Sequence, residues 1–233
     1  MFELRNVSLR FGPQRVLDNV DFSLAPGERV GVIGPSGAGK SSLLKLAAGL
    51  LEPSTGQCVN TFRHPVLVFQ EPRLLPWRSI TENIEIPLLA AGMDKNQATR
   101  QAAHWLERVG LANAGARWPR ELSGGMAQRA ALARAMALQP DCLLLDEPFS
   151  ALDQALRESL GALCRQCVLD TGAALLCISH HPQELVRIVD RCVRISDGRL
   201  HDDAIAIPAR TNHSEAAPSP APAQFFQPQA IQP

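Results

Sequence analysis

Tyrosine is missing altogether from these 233 residues, aromatic side chains amount to 5%, and 23 Lys and Arg stand against 23 Asp and Glu. A chain without net charge has no long-range field to draw in nucleic acid or anionic lipid. No apolar run approaches the roughly 20 residues that a membrane-spanning helix needs. The opening Met1-Phe2-Glu3-Leu4-Arg5-Asn6-Val7 alternates like a strand and lacks the apolar centre of a secretory signal, so a cytosolic protein is expected. The six cysteines are scattered among apolar segments, as reduced thiols are, rather than spaced as a disulfide framework. Cys164 and Cys167 form C-x-x-C within a helical pattern and without a second pair, which reads as helix packing rather than zinc or redox chemistry.

What is present begins with Gly34-Pro35-Ser36-Gly37-Ala38-Gly39-Lys40-Ser41, which spells G-x-x-x-x-G-K-S. The apolar run Arg29 to Ile33 ahead of it reads as a buried strand. Leu43, Leu44, Leu46, Ala47 and Leu50 behind it fall at helical spacing. Glycines let backbone wrap closely around a polyphosphate, and the N–H groups opening the helix point at it. Lys40 then reaches the β- and γ-phosphates, and the Ser41 hydroxyl takes Mg²⁺. This pattern predicts a nucleoside triphosphate site over Gly34 to Ser42.

Along the chain, residues 1 to about 33 read as several short strands, with turns at Gly12-Pro13 and Pro26-Gly27. Pro65 to Phe69 is a further strand, ending at Gln70. From about 71 to 128 the pattern turns helical after a proline-rich stretch, an insertion in an α/β core. Helix to Leu138, strand Cys142 to Leu145, helix 154 to 169, strand Ala174 to Ser179 and a helix through Val189 then alternate, which predicts a parallel sheet flanked by helices. Cys192 to Ile195, Asp197-Gly198 and Leu200 suggest a closing hairpin. Beyond about Ile207 the composition is Pro, Ala, Gln and Ser, so residues 208–233 are expected to be a disordered tail.

The run Asp141-Cys142-Leu143-Leu144-Leu145-Asp146-Glu147 adds hydrolysis to binding. Asp146, at a strand's carboxyl end, is placed to reach Mg²⁺, and Glu147 to orient or deprotonate the attacking water. With Leu122-Ser123-Gly124-Gly125-Met126-Ala127-Gln128-Arg129 shortly upstream, the chain resembles the ATP-binding subunits of ABC transporters over residues 1 to about 207. The resemblance implies a P-loop NTPase core of ABC type, with N-terminal antiparallel strands and a helical subdomain inserted at about 71–128. It makes Gln70 a Mg²⁺-sensing glutamine, Asp153 of Ser150-Ala151-Leu152-Asp153 a nucleotide-side residue, His180 the switch histidine at the γ-phosphate, and Phe11 the aromatic that stacks on adenine. Two departures stand out: His181 where an acid is usual, and Met126 after L-S-G-G. His180 and His181, at a strand end, are expected to point oppositely.

The resemblance further implies a homodimer, head to tail, in which each ATP lies between one phosphate loop and the partner's Ser123-Gly124-Gly125. It implies a transmembrane permease and an extracytoplasmic solute-binding protein as partners, with this chain peripheral at the cytoplasmic face of the membrane. Glu71-Pro72-Arg73-Leu74-Leu75-Pro76-Trp77-Arg78 is similar to the ATPase subunits of importers for nitrate, sulfonates and taurine. Trp77 there either anchors a permease helix or packs inside the helical subdomain. A lipoprotein-release or cell-division ATPase is the alternative function.

Overall fold

Alternating side chains on fully apolar strands must be buried on both faces, and the central sheet is built that way. In the computed structural model, which describes residues 1–180 and 182–203, six strands lie in the order β5-β6-β7-β3-β8-β9. These are β3 (Arg29–Ile33), β5 (Pro65–Val68), β6 (Cys142–Asp146), β7 (Ala174–Ile178) and β8 (Arg191–Ser196), all parallel, with β9 (Arg199–Asp203) returning antiparallel from β8. Val30, Val32, Cys142, Leu144, Leu176 and Ile178 face one layer, and Leu143, Leu145, Leu175 and Cys177 face the other.

The first layer holds the helix α1 (Lys40–Ala47) and an antiparallel sheet of order β2-β1-β4, formed by β1 (Phe2–Phe11), β2 (Gln14–Leu24) and β4 (Thr55–Asn60). The several short strands expected before residue 33 are instead two long ones plus β3. Asn6 and Asn19 adopt positive φ, and the β1–β2 register shifts between Leu4 and Val7 and again beyond it. Bulges of this kind break the period of two without ending a strand. β4 escaped the sequence reading because an edge strand with almost every residue exposed carries no alternation.

The second layer contains α2 (Ile80–Ala90), α3 (Lys95–Arg108) and α4 (Gly124–Ala137), which pack on one another between β5 and β6 in sequence, and α5 (Gln154–Thr171). A Ser79–Glu82 capping box starts α2, and Gly172 in the left-handed conformation ends α5. The helix expected through Val189 is only α6 (Pro182–Leu185). Beyond it Asp190 turns back to pair with Arg29, and the chain enters β8. Cys164 and Cys167 are buried in α5, as the packing reading required. His181 and the tail 208–233 lie outside the described residues.

Candidate active site

Strand order decides what meets at the carboxyl ends of β5, β6, β7 and β3, four neighbours in the sheet. They deliver Gln70, Asp146 with Glu147, His180, and the Gly34–Lys40 loop to one edge. The loop needs its glycines. A Cβ on Gly34 would stand 2.2 Å from the Ile195 carbonyl oxygen, and one on Gly39, whose φ is 104°, would stand 2.9 Å from the Val16 oxygen and from Leu17 Cδ2. Gly39 is also the N-cap of α1, no side chain caps this helix, and its first turn carries no acid. Its opening N–H groups and dipole are left to an anion.

Lys40 is buried, and its Nζ donates to the Gly34 and Pro35 carbonyl oxygens at 2.8 Å each. The ammonium is thus held within the loop itself. Pro35, Ser36 and Gly37 are exposed at the rim, while Ser41 and Ser42 open the helix.

Asp146 lies near the Ser41 hydroxyl, with Lys45, Lys40 and His180 around it. Burial pushes its carboxyl above the ordinary range, and the neighbouring Ser41 hydroxyl and lysines offset this only in part. A carboxylate kept from water beside a hydroxyl is a fitting partner for a hard divalent cation. Among the described residues no three His, Cys, Asp or Glu gather as a metal cage. One carboxylate with hydroxyl and amide oxygens, completed by substrate phosphates, is how Mg²⁺ is usually held. The group Ser41, Gln70 and Asp146 has that chemistry.

The raised carboxyl has a consequence for stability. The folded chain keeps the Asp146 proton to higher pH than the unfolded chain does. That contribution is present below the ordinary carboxyl pKa and is lost as pH rises through the folded one. Asp146→Asn is therefore expected to melt higher than the parent at neutral pH in the absence of divalent metal, with the gap closing toward pH 4. Thermal melts across that range check it, and a less stable Asn variant at neutral pH overturns it.

Glu147 is restrained from three directions. Gln70 Nε2 donates to its Oε2 at 3.0 Å, His180 Nδ1 lies 2.7 Å from its Oε1, and its own N–H donates to the Ile178 carbonyl. Its side chain is 11% exposed, and its φ of 48° is one few non-glycine residues adopt. Such a conformation persists where surrounding contacts over-determine it. Phe11 is 49% exposed at the tip of the β1–β2 hairpin, whose Val16 and Leu17 abut Gly39. An aromatic facing solvent on the hairpin that abuts the loop is free to stack on a base.

The remaining expected residues lie elsewhere. Ser123 caps α4, its Oγ accepting from the Met126 N–H at 3.3 Å, and α4 packs on α2, α3 and β5 rather than beside α1. A Cβ on Gly124 would meet nothing within 4 Å, whereas one on Gly125 would touch Leu152 and Ala151. Asp153 caps α5 by accepting from the Leu156 N–H at 3.0 Å. Trp77 is 64% exposed, which answers the packing alternative against an interior position. Ile86 and Leu89 of α2 are exposed as well.

Sequence reasoning missed Asn83. It is 1% exposed, accepts from the Leu75 N–H at 2.7 Å and donates to the Leu75, Arg78 and Ser79 carbonyls. A polar residue inside the Ile80, Ile84, Leu88 stripe was the available signal.

Residues 17–150 match the family model described as ABC transporter. The aliphatic sulfonates import ATP-binding protein of Mycobacterium sp. (strain MCS) is 43% identical over 200 residues, covering 86% of this chain and 81% of that protein. A protein of the same name from Paracoccus denitrificans is 39% identical over 205 residues, covering 88% and 81%. Among solved structures, a dimeric post-hydrolysis state of an ATP-binding cassette bound to ADP and Pi superposes with a TM-score of 0.78 at 27% identity, covering 87% of this chain and 98% of that one.

Proposed function

This chain belongs to the ABC transporter family, and we propose that it is the ATP-hydrolysing subunit of an importer for aliphatic sulfonates. The observation that carries the catalytic reading is the meeting of Lys40, Ser41, Gln70, Asp146, Glu147 and His180 at one sheet edge. Relatives named for sulfonate import support the substrate class. In this reading residues 1–207 form the ATPase domain, with its helical subdomain over about 71–128, and 208–233 a tail.

The loop N–H groups and Lys40 bind the β- and γ-phosphates, and Phe11 stacks on adenine. Ser41, Gln70 and Asp146 hold Mg²⁺, which when bound neutralises charge on the phosphates. Glu147 accepts the proton of the attacking water, and His180 supports Glu147 while contacting the γ-phosphate. Water attacks phosphorus, the bond to the bridging oxygen breaks, and ADP and phosphate leave.

Ser123, Gly124 and Gly125 stand apart from this edge, so they serve the site of a second copy placed head to tail. A dimeric cassette among similar structures supports that arrangement. Asp153 acts by holding the adjoining Ala151–Leu152 turn against Gly125. Closure then depends on ATP in both sites, and hydrolysis reopens the pair. Ser123→Arg is expected to bind ATP as the parent does but to stay monomeric with ATP, by size-exclusion chromatography. An ATP-dependent dimer of that variant removes the head-to-tail arrangement.

Among the described residues no helix is long and apolar enough to cross a membrane. The work is delivered to a permease at the cytoplasmic face, with an extracytoplasmic binding protein supplying the sulfonate. Trp77, with Ile86 and Leu89, offers the permease an apolar anchor. Trp77→Ala is expected to melt as the parent does but to weaken permease capture more than tenfold, since losing a central interface aromatic costs about 2 kcal/mol. A large fall in melting temperature would sink that role. The whole proposal is tested by uptake of labelled alkanesulfonate in source cells carrying Glu147→Gln. Uptake should cease, and undiminished uptake by a variant that releases no phosphate overturns the substrate class.

A further inference from the structure

Residues 70–79 join Gln70 to the exposed Trp77, and the structure fastens this segment at several points. Arg134, in the last turn of α4, donates from Nη1 to the Arg73 carbonyl at 2.9 Å and from Nη2 to the Pro72 carbonyl at 3.0 Å. Arg73 has a φ of 44°, and its guanidinium carbon lies 3.7 Å from the centroid of the Phe69 ring. Phe69 immediately precedes Gln70, so this stack closes the chain around Gln70. Asn83 holds the far end at Leu75, Arg78 and Ser79.

We infer that Arg134 is a positioning residue: by gripping the Pro72 and Arg73 carbonyls it fixes Gln70 against Glu147 and ties that placement to α4, the helix that Ser123 caps. The geometry asks for arginine. Two carbonyls of consecutive residues match a rigid planar fork, whereas a single lysine nitrogen is a point donor on a flexible stem. An unusual backbone conformation at Arg73 persists only where neighbours impose it, and the Arg134 fork and the Phe69 ring are those neighbours. Burial lowers the Arg134 pKa, as expected of a guanidinium taken from water onto carbonyl oxygens. What Gln70 does chemically is taken from the ATPase reading above; the grip itself is independent of it.

The test uses the full chain with Arg134→Ala, Arg134→Lys, Gln70→Ala and the double variant Gln70→Ala/Arg134→Ala. By amide hydrogen exchange, Arg134→Ala is expected to speed exchange over 71–79 about tenfold while leaving α4 unchanged, because local opening is set by local contacts. Arg134→Lys should fall between it and the parent, and it carries the test should the Ala variant fail to fold. ATP affinity measured in EDTA should stay at the parent value, and kcat with Mg-ATP should fall about tenfold at unchanged KM. If Arg134 acts through Gln70, the double variant turns over no more slowly than Gln70→Ala alone, since residues acting as one unit are not additive. Additive losses, or unchanged exchange over 71–79, overturn the inference. A parent that hydrolyses no ATP defeats the ATPase reading instead, and the exchange result still decides the grip.

Discussion

Glu147→Gln binds ATP as the parent does but hydrolyses it about 10²–10⁴-fold more slowly, the range that a positioned general base contributes. The amide keeps the length and shape of the side chain, and its oxygen can still meet His180, which stands 2.7 Å from Glu147 Oε1. What disappears is the capacity to take a proton from water. Binding and chemistry should therefore separate cleanly: an unchanged Kd by titration, and phosphate release lost in a stopped assay. Because ATP is then not consumed, the head-to-tail dimer should accumulate and elute as such with Mg-ATP. A variant that releases phosphate at the parent rate removes Glu147 from the chemistry and leaves the water to be activated by another group.

Lys40→Ala is expected to weaken ATP binding by at least about two orders of magnitude, because each hydrogen bond from a charged donor is worth about 1.5–3 kcal/mol and the ammonium can make two to the phosphates. Phosphates compete with a definite arrangement here, the two 2.8 Å bonds from Nζ to Gly34 and Pro35. Removing the side chain therefore also frees two loop carbonyls, and the loop should exchange its amides faster. Lys40→Arg separates charge from fit. It keeps the cation but brings a planar fork to a buried position, and it should recover only part of the affinity. Calorimetric titration with ATP is the measurement. A parent-like Kd for Lys40→Ala, with its melting temperature intact, contradicts the assignment of the loop.

Much of this candidate site was legible from residue type and spacing alone. Gly34 to Ser41 and Asp146-Glu147 each sit at the end of an apolar strand, and a strand–loop–helix unit is fixed by nearest neighbours in sequence. The same locality explains why the closing hairpin at Asp197-Gly198 was found. Signals failed where the cause was distant. Bulges at Asn6 and Asn19 come from pairing across the β1–β2 ladder, and β4 is a strand only because β1 offers it an edge. Val186 to Val189 look helical alone, but the pairing of Asp190 with Arg29 draws the chain into β8.

Residue type and local spacing were enough to point to a phosphate-binding loop in a parallel α/β core, and to Asp146 and Glu147 as the carboxylates proposed for magnesium and for proton transfer. Which of these groups meet is a matter of how the strands pack. Gln70, Glu147 and His180 are far apart in the chain and come together because β5, β6 and β7 are neighbours in a strand order that sequence order does not give. Packing also decided that Ser123 caps a helix packed away from the loop, that Trp77 faces solvent, and that Asn83 and Arg134 hold the segment between them. The reason is physical: hydrogen bonds between distant residues depend on how whole layers pack, and packing is settled by the sum of buried surfaces rather than by any short stretch of chain.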